Sequence, residues 1–145
     1  MIEFSIETAM RLNEQLTLKW DQVDLKNMMI TILAEHTKTG IERKIPLTPR
    51  AIQILQKLPR HIKGRVFPVS LNNFQRAWRS ITRNAEIENL HWHDLRREAC
   101  SRLMESGLSI SEVQMFTGHK TLSLMLKTYS QHYPSVVAKK LNSVQ

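Results

Sequence analysis

Apolar residues recur at helical spacing along most of this 145-residue chain, and the pattern changes to that of strands in one stretch only. Helical spacing and start signals predict helices at 5–18, 48–58, 71–85 and 93–106, and a short one that begins in the capping-box sequence SISE at 109–112. The β-branched run at 28–34 and the alternating IERKIPL at 41–47 flank the turn sequence TKTG. These segments predict an α+β fold, a mostly helical domain with a small antiparallel sheet.

The charge balance favours a polyanionic partner. The chain carries 21 Lys and Arg residues against 13 Asp and Glu, which gives a net charge of +8. An excess of this size points to nucleic acid first and to an acidic membrane second. Three arginines, Arg76, Arg79 and Arg83, share the face of the predicted 71–85 helix opposite Phe74, and we interpret them as phosphate contacts rather than only solubilising charges.

Other features limit the compartment and the kind of partner. The longest apolar run, at 28–34, is far shorter than the ~20 residues of a membrane span. The N-terminal MIEFSIETAM has early acidic residues and no basic region, so a secretory signal is not indicated. Cys100 stands alone, which excludes a disulfide framework and a zinc-binding cysteine cluster. We therefore expect a cytoplasmic protein with no membrane partner and with Cys100 buried in a helix.

Several classes of site lack the patterns that they require. His91 and His93 lie in an HWH sequence, but no third ligand follows at a familiar metal-binding spacing. The chain has no nucleophile-elbow sequence and no glycine-rich phosphate loop, and it contains only four glycines. The sequence predicts no metal, no cofactor and no small-molecule substrate.

Groups suited to phosphodiester chemistry are distributed along the chain. Two guanidinium groups can hold the nonbridging oxygens of a phosphate through paired hydrogen bonds. A lysine on a hairpin can deliver a proton, and a tyrosine, whose ordinary pKa is about 10, can attack phosphorus if another group accepts its proton. The candidates are Arg11 on the first predicted helix, Lys38 at the hairpin tip, His93 and Arg96 one turn apart, His119 and Tyr129.

Each candidate also has an ordinary structural interpretation when it is taken alone. Arg11 can pair with Glu14 at i,i+3, and Lys38 can simply be solvated. His119 can cap a helix, and Tyr129 can be half-buried. The complete set in this order is much harder to explain as structural.

Four motifs in order resemble the catalytic domain of the tyrosine recombinases, the phage integrase family. TAMRLNEQLTLKWDQVDL resembles the first arginine box of that family, and TKTGIERKIPLT resembles its lysine hairpin. HDLRREACSRLMESGLSISEVQMFTGHKTL resembles the second arginine box, with H-x-x-R before a G-H pair, and KTYSQHYP resembles the box of the nucleophilic tyrosine. The likeness covers nearly the whole chain.

This resemblance implies a site-specific DNA recombinase that works through a covalent 3′-phosphotyrosine intermediate, without ATP or metal. Arg11 and Arg96 would clamp the scissile phosphate, and His93 would accept the proton of the nucleophile Tyr129. Lys38 would protonate the leaving 5′-hydroxyl, and His119 would donate a hydrogen bond to the phosphate. The implied partners are double-stranded DNA and further copies of the chain, assembled as a tetramer that exchanges C-terminal tails.

The departures from the family pattern are specific. Ala9 replaces a usual glycine, Arg97, a further candidate for DNA contact, stands where a histidine is common, and Thr117 replaces a usual leucine. The His119–Tyr129 spacing of ten residues, where nine is more common, leaves Tyr133 as a competing nucleophile. We expect residues 1–145 to be a catalytic domain that lacks the family's N-terminal DNA-binding domain. Two other functions remain open, a non-catalytic DNA-binding regulator and a type IB topoisomerase-like enzyme.

Overall fold

The computed structural model describes residues 1–37, 40–60, 64–118, 137–138 and 141–142. Its helices are α1 (Ile2–Thr8), α2 (Leu12–Thr17), α3 (Pro49–Lys57), α4 (Leu71–Asn84), α5 (Trp92–Glu105) and α6 (Ile110–Thr117). Its strands are β1 (Val23–Asp24), β2 (Met29–Ile32) and β3 (Arg43–Pro46), which form one antiparallel sheet in the order β1-β2-β3. The α+β fold predicted from the sequence is confirmed.

The hairpin formed by β2 and β3 has the predicted antiparallel pairing. Ile30 lies opposite Ile45, and both side chains are fully buried. After β2 the chain forms a short 3₁₀ turn at Ala34–His36, which packs against α2. The loop between β2 and β3 is therefore held beside α2. The edge strand β1 was not identified in the sequence.

The prediction of one helix over 5–18 is wrong. The chain ends α1 at Thr8, and Ala9 takes a left-handed conformation with φ 52°. Arg11 is extended, with φ −70° and ψ 153°, and is the N-cap of α2 rather than a residue within a helix. The carboxylate of Glu14 accepts a hydrogen bond from the Arg11 backbone N–H at 2.7 Å, which stabilises this new helix start.

The buried core joins α1, α3, α5, α6 and the sheet. Its members include Phe4, Ile45, Leu55, Ala99 and Val113. Cys100 is buried in α5 as predicted, and α5 ends shortly before Gly107, whose φ is 100°. The capping box of α6 is also confirmed, since the Ser109 side chain accepts from the Glu112 N–H. This packing sets the N-terminal half of α5 and the end of α6 beside the break between α1 and α2.

A helix that crosses a membrane must be both long and apolar. None of the helices in the part of the chain that the structure describes has that length and character.

Candidate active site

A cavity of about 560 Å³ brings three of the predicted site residues together. Arg11, His93 and Arg96 all line it, although they come from two separate parts of the chain. Lys38, His119, Tyr129 and the competing Tyr133 lie outside the described residues. The structure therefore brings the two arginines and the first histidine to one cavity, and their roles in a reaction stay predictions.

Arg96 is a deeply buried cation on the second turn of α5. Its Nη1 donates to the carbonyl oxygen of Ala9, and its Nη2 donates to that of Thr117 at 2.6 Å. Burial, together with the positive charge of Arg11, lowers the pKa of Arg96 to about 10, so it stays protonated at neutral pH. Both partners are neutral carbonyls, and no carboxylate of the described residues pairs with this guanidinium.

Arg11 reaches the same point from the break between α1 and α2. Its Nη1 donates to Glu14 Oε1 at 3.1 Å and to the Thr117 carbonyl at 3.3 Å. Thr117 is the last residue of α6, where carbonyl groups lack partners within the helix. Two guanidinium groups thus meet at one helix end, and the Nε and Nη2 of Arg11 have no hydrogen-bond partner among the described residues.

Glu14 is a buried carboxylate that holds two arginines. It accepts from the Nη1 and Nη2 of Arg43 at 2.9 and 2.8 Å, and from Arg11 through both its backbone N–H and its side chain. Burial raises the pKa of Glu14, but the hydrogen bonds and charge of Arg43 and those of Arg11 outweigh burial, and the pKa falls below its ordinary value. Glu14 is therefore ionised at neutral pH.

Arg43 is a residue of the site that the sequence motifs did not indicate. It lies on β3, and its Nε donates to the Phe116 carbonyl at 3.2 Å while its fork binds Glu14. The only signal in the sequence was an arginine within the alternating IERKIPL strand. Arg11, Arg43 and Arg96 carry three positive charges against one negative charge on Glu14, so this cluster has a net charge of +2.

His93 lies on the first turn of α5 with its side chain exposed at the cavity. Partial burial, followed by the charges of Arg96 and Arg97, lowers its pKa below the ordinary value of histidine, and Asp94 opposes this shift. Its imidazole is therefore neutral at pH 7, which is the form that accepts a proton.

His36 is a second residue of the cavity that was not predicted. It ends the 3₁₀ turn two residues before Lys38, and its Nε2 lies 3.3 Å from Glu35 Oε1. A histidine before a turn sequence gave no indication of its position beside Arg11.

The other predicted DNA contacts lie outside this cavity. Arg76, Arg79 and Arg83 are exposed on α4, and Arg97 is exposed on α5 at 3.6 Å from Asp94. The opposite face of α4 lines a separate, mostly apolar groove of about 590 Å³, with Phe74, Trp78 and Ile81 among its lining residues. The two-sided character predicted for this helix is confirmed.

The cavity is lined by two guanidinium groups, those of Arg11 and Arg96, and by the carboxylates of Glu14 and Glu35. Among the described residues there is no group of three or more His, Cys, Asp or Glu side chains placed to hold a metal.

Comparison with known proteins identifies the family. The pattern of the phage integrase family matches residues 1–135. A shufflon-specific DNA recombinase of Escherichia coli is 40% identical over 131 residues, which cover 90% of this chain and 33% of that protein. The chain thus spans about a third of the length of this relative.

Solved structures share the fold. The catalytic domain of bacteriophage HP1 integrase superposes with a TM-score of 0.72 at 26% identity, covering 97% of this chain and 78% of that one. The integrase of transposon Tn1549 in complex with circular intermediate DNA superposes with a TM-score of 0.71 at 19% identity, covering 88% and 52% of the two chains. At that identity the second likeness bears on the fold alone.

Proposed function

Because this chain belongs to the phage integrase family, we propose that it cleaves and rejoins DNA strands as a site-specific tyrosine recombinase. The observation that carries this proposal is the meeting of Arg11 and Arg96 at the Thr117 carbonyl, beside the cavity. A buried cation without a carboxylate partner among the described residues is costly unless an anion binds to it. A DNA phosphate is the anion that this site would take.

The arginines would act by stabilising charge on the phosphate. Negative charge on the nonbridging oxygens redistributes as a fifth oxygen approaches phosphorus, and donors already in place stabilise it without rearranging. The net charge of +2 at the cluster of Arg11, Arg43, Arg96 and Glu14 supports this role.

Proton transfers would complete the reaction. The oxygen of Tyr129 attacks phosphorus as its proton passes to His93, and the bond from phosphorus to the 5′-oxygen breaks. Lys38 gives a proton to that departing oxygen, while His119 donates a hydrogen bond to the phosphate. The lowered pKa of His93 supports its role as acceptor. Attack by the 5′-hydroxyl of another strand reverses these steps and exchanges the strands.

The proposed partners are duplex DNA and further copies of the chain, on bacterial or phage DNA in the cytoplasm. Several relatives are bacterial or phage recombinases, which supports this setting. Exchange of C-terminal tails within a tetramer is proposed because the helical residues Val137 and Leu141 leave 39% and 70% of their surface exposed. Val144, the third residue of this apolar stripe, lies outside the described residues.

A pool of nicked duplexes with randomised sequence tests the function directly. After cleavage near the nick, the short fragment with the free 5′-hydroxyl diffuses away, and the protein stays attached to the 5′-labelled strand through a 3′-phosphate. We expect a labelled adduct on a denaturing gel that is lost in Tyr129→Phe and kept in Tyr133→Phe. Loss in Tyr133→Phe alone would identify the other tyrosine as nucleophile.

Two outcomes would favour the other functions. DNA binding without any adduct from the unaltered protein would indicate a non-catalytic regulator. Adduct formation with relaxation of supercoiled plasmid, but without joining to a second DNA, would indicate a topoisomerase.

A further inference from the structure

We propose that Arg43 is a positioning residue for the cleavage reaction, which holds both phosphate-binding arginines in place without touching the phosphate. This inference rests on the proposed function. The side chain of Arg43 connects β3 with α2 and with the end of α6.

Arg43 makes three hydrogen bonds that together fix two parts of the site. Its fork holds both oxygens of Glu14, and the same carboxylate binds the backbone and side chain of Arg11. Its Nε holds the carbonyl of Phe116, one residue before the Thr117 carbonyl that Arg11 and Arg96 share. Movement of Arg43 would therefore displace both guanidinium groups.

The same geometry argues against a direct contact between Arg43 and a phosphate. Its Nε, Nη1 and Nη2 each donate to a protein oxygen, and its side chain is only 10% exposed. Arg43 is also absent from the residues that line the cavity, whereas Arg11 and Arg96 line it.

The fit of Arg43 extends to Gly118, the residue that follows α6. A Cβ atom built on Gly118 would lie 2.8 Å from the Cδ and 3.1 Å from the Nε of Arg43. Gly118 also has φ 62°, a conformation that favours glycine. The stem of Arg43 thus packs on the backbone where α6 ends, next to the position of His119 in the sequence.

Lysine cannot reproduce these contacts. The planar guanidinium presents its donors in a fixed fork that matches a carboxylate, and it has a further donor for the Phe116 carbonyl. An ammonium group keeps the charge but offers one point of contact. Because a displacement of about 1 Å in a reacting geometry can cost on the order of 10²-fold in rate, Arg43→Lys should slow cleavage by about that factor.

The experiment measures adduct formation at saturating DNA with the nicked pool described above. We expect Arg43→Lys to bind DNA with unchanged affinity, to keep its melting temperature within a few degrees and to form adduct about 10²-fold more slowly. Arg102→Lys is the matched control, because Arg102 pairs with Glu98 on the exposed face of α5 at 2.7 Å and should behave as the unaltered protein.

A double variant separates positioning from general loss of structure. If Arg43 positions Arg11 as well as Arg96, then Arg43→Lys should slow cleavage less in an Arg11→Ala background, where only its effect on Arg96 remains, than in the unaltered protein. Two defects that multiply in full would show that Arg43 does not act through Arg11, and would overturn the inference.

A neutral pair keeps the test decisive if Arg43→Lys unfolds. Arg43→Gln combined with Glu14→Gln removes both buried charges and leaves amide groups that can bind each other. We expect this variant to fold and to cleave slowly, and cleavage at the normal rate would overturn the inference. Normal cleavage by Arg43→Lys would do the same, whereas an unaltered protein that forms no adduct would overturn the proposed function itself.

Discussion

At the scale of single residues, the site depends on side chains that the fold holds in costly states. Arg96 is buried with only carbonyl partners, and Glu14 is buried with four donated hydrogen bonds. Ala9 has a left-handed backbone, which costs a residue with a Cβ about 1–2 kcal/mol. Its carbonyl accepts from Arg96, so this conformation is maintained by the same contact that holds the cation.

Ala9→Gly should leave the stability of the protein nearly unchanged. Relief of about 1–2 kcal/mol of backbone strain opposes the loss of one buried methyl group, about 0.8 kcal/mol, and the greater freedom of the unfolded glycine chain, about 0.4–1 kcal/mol. Ala77→Gly, at an exposed position inside α4, should cost about 1 kcal/mol. Urea denaturation measures both, and an equal loss at the two positions would contradict the strain at Ala9.

The pKa of His93 should respond in opposite directions to changes at its two neighbours. Arg97 lowers this pKa and Asp94 raises it. We therefore expect Arg97→Gln to raise the pKa of His93 and Asp94→Asn to lower it further, as measured by NMR titration of the imidazole protons. Asparagine keeps an oxygen for the hydrogen bond from the His91 N–H, so the helix start should remain. A shift of the same sign in both variants would show that charge is not the cause.

The lowered pKa of His93 also makes the stability of the fold depend on pH. The unfolded His93 takes up its proton at a higher pH than the folded one, so unfolding binds a proton between these two pKa values. This residue therefore makes the folded protein less stable as the pH falls below the ordinary pKa of histidine, about 6.5.

At the scale of elements, five separate segments build the site: the break between α1 and α2, the 3₁₀ turn at Ala34–His36, β3, the start of α5 and the end of α6. The sequence predicted the existence of α3 to α6 because their apolar spacing and end signals agree. It did not predict the break, because Ala9, Leu12 and Leu16 continue the helical spacing through it. One contact that stabilises the break comes from a distant residue, since Arg96 binds the Ala9 carbonyl from 87 positions away.

The pairing of Arg43 with Glu14 was unpredictable for the same reason. The two residues are 29 positions apart, one on β3 and the other in α2. No sequence pattern predicts that a strand residue and a helix residue so far apart will pair. The motifs identified Arg11, His93 and Arg96 as candidates. The roles of Glu14 and Arg43 in the site could be found only from the packing of β3 against α6.

Removal of the α6 cap tests how much the cap stabilises the fold that carries the site. Ser109→Ala should cost about 1 kcal/mol, because the Ser109 side chain accepts from the Glu112 N–H at the start of α6. Ser80→Ala, at an exposed position inside α4, should be neutral or slightly stabilising since alanine favours helices. Thermal unfolding compares the two variants. A loss in Ser80→Ala as large as that in Ser109→Ala would count against the cap.

At the scale of the whole molecule, the net charge bears on the proposed binding to DNA. The net charge is +8, and the exposed arginines of α4 lie on the face opposite its apolar groove. Each phosphate that a cation neutralises releases counterions. The logarithm of the affinity therefore falls linearly with the logarithm of the salt concentration, with a slope proportional to the number of such phosphates. The chain should therefore bind duplex DNA with steep salt dependence and with little preference for sequence.

A triple variant determines whether α4 provides those cations. Arg76, Arg79 and Arg83, all changed to Gln, should reduce the slope of log affinity against log salt by about 0.9 for each phosphate that is no longer neutralised, uniformly across DNA sequences. The matched control changes Lys26, Arg50 and Arg102 to Gln, which removes the same charge from three exposed and scattered positions. Fluorescence anisotropy over a range of salt concentrations measures both slopes. If the two variants reduce the slope equally, the total charge of the molecule sets its affinity for DNA, and the arginines of α4 do not contact the phosphates more than other exposed cations do.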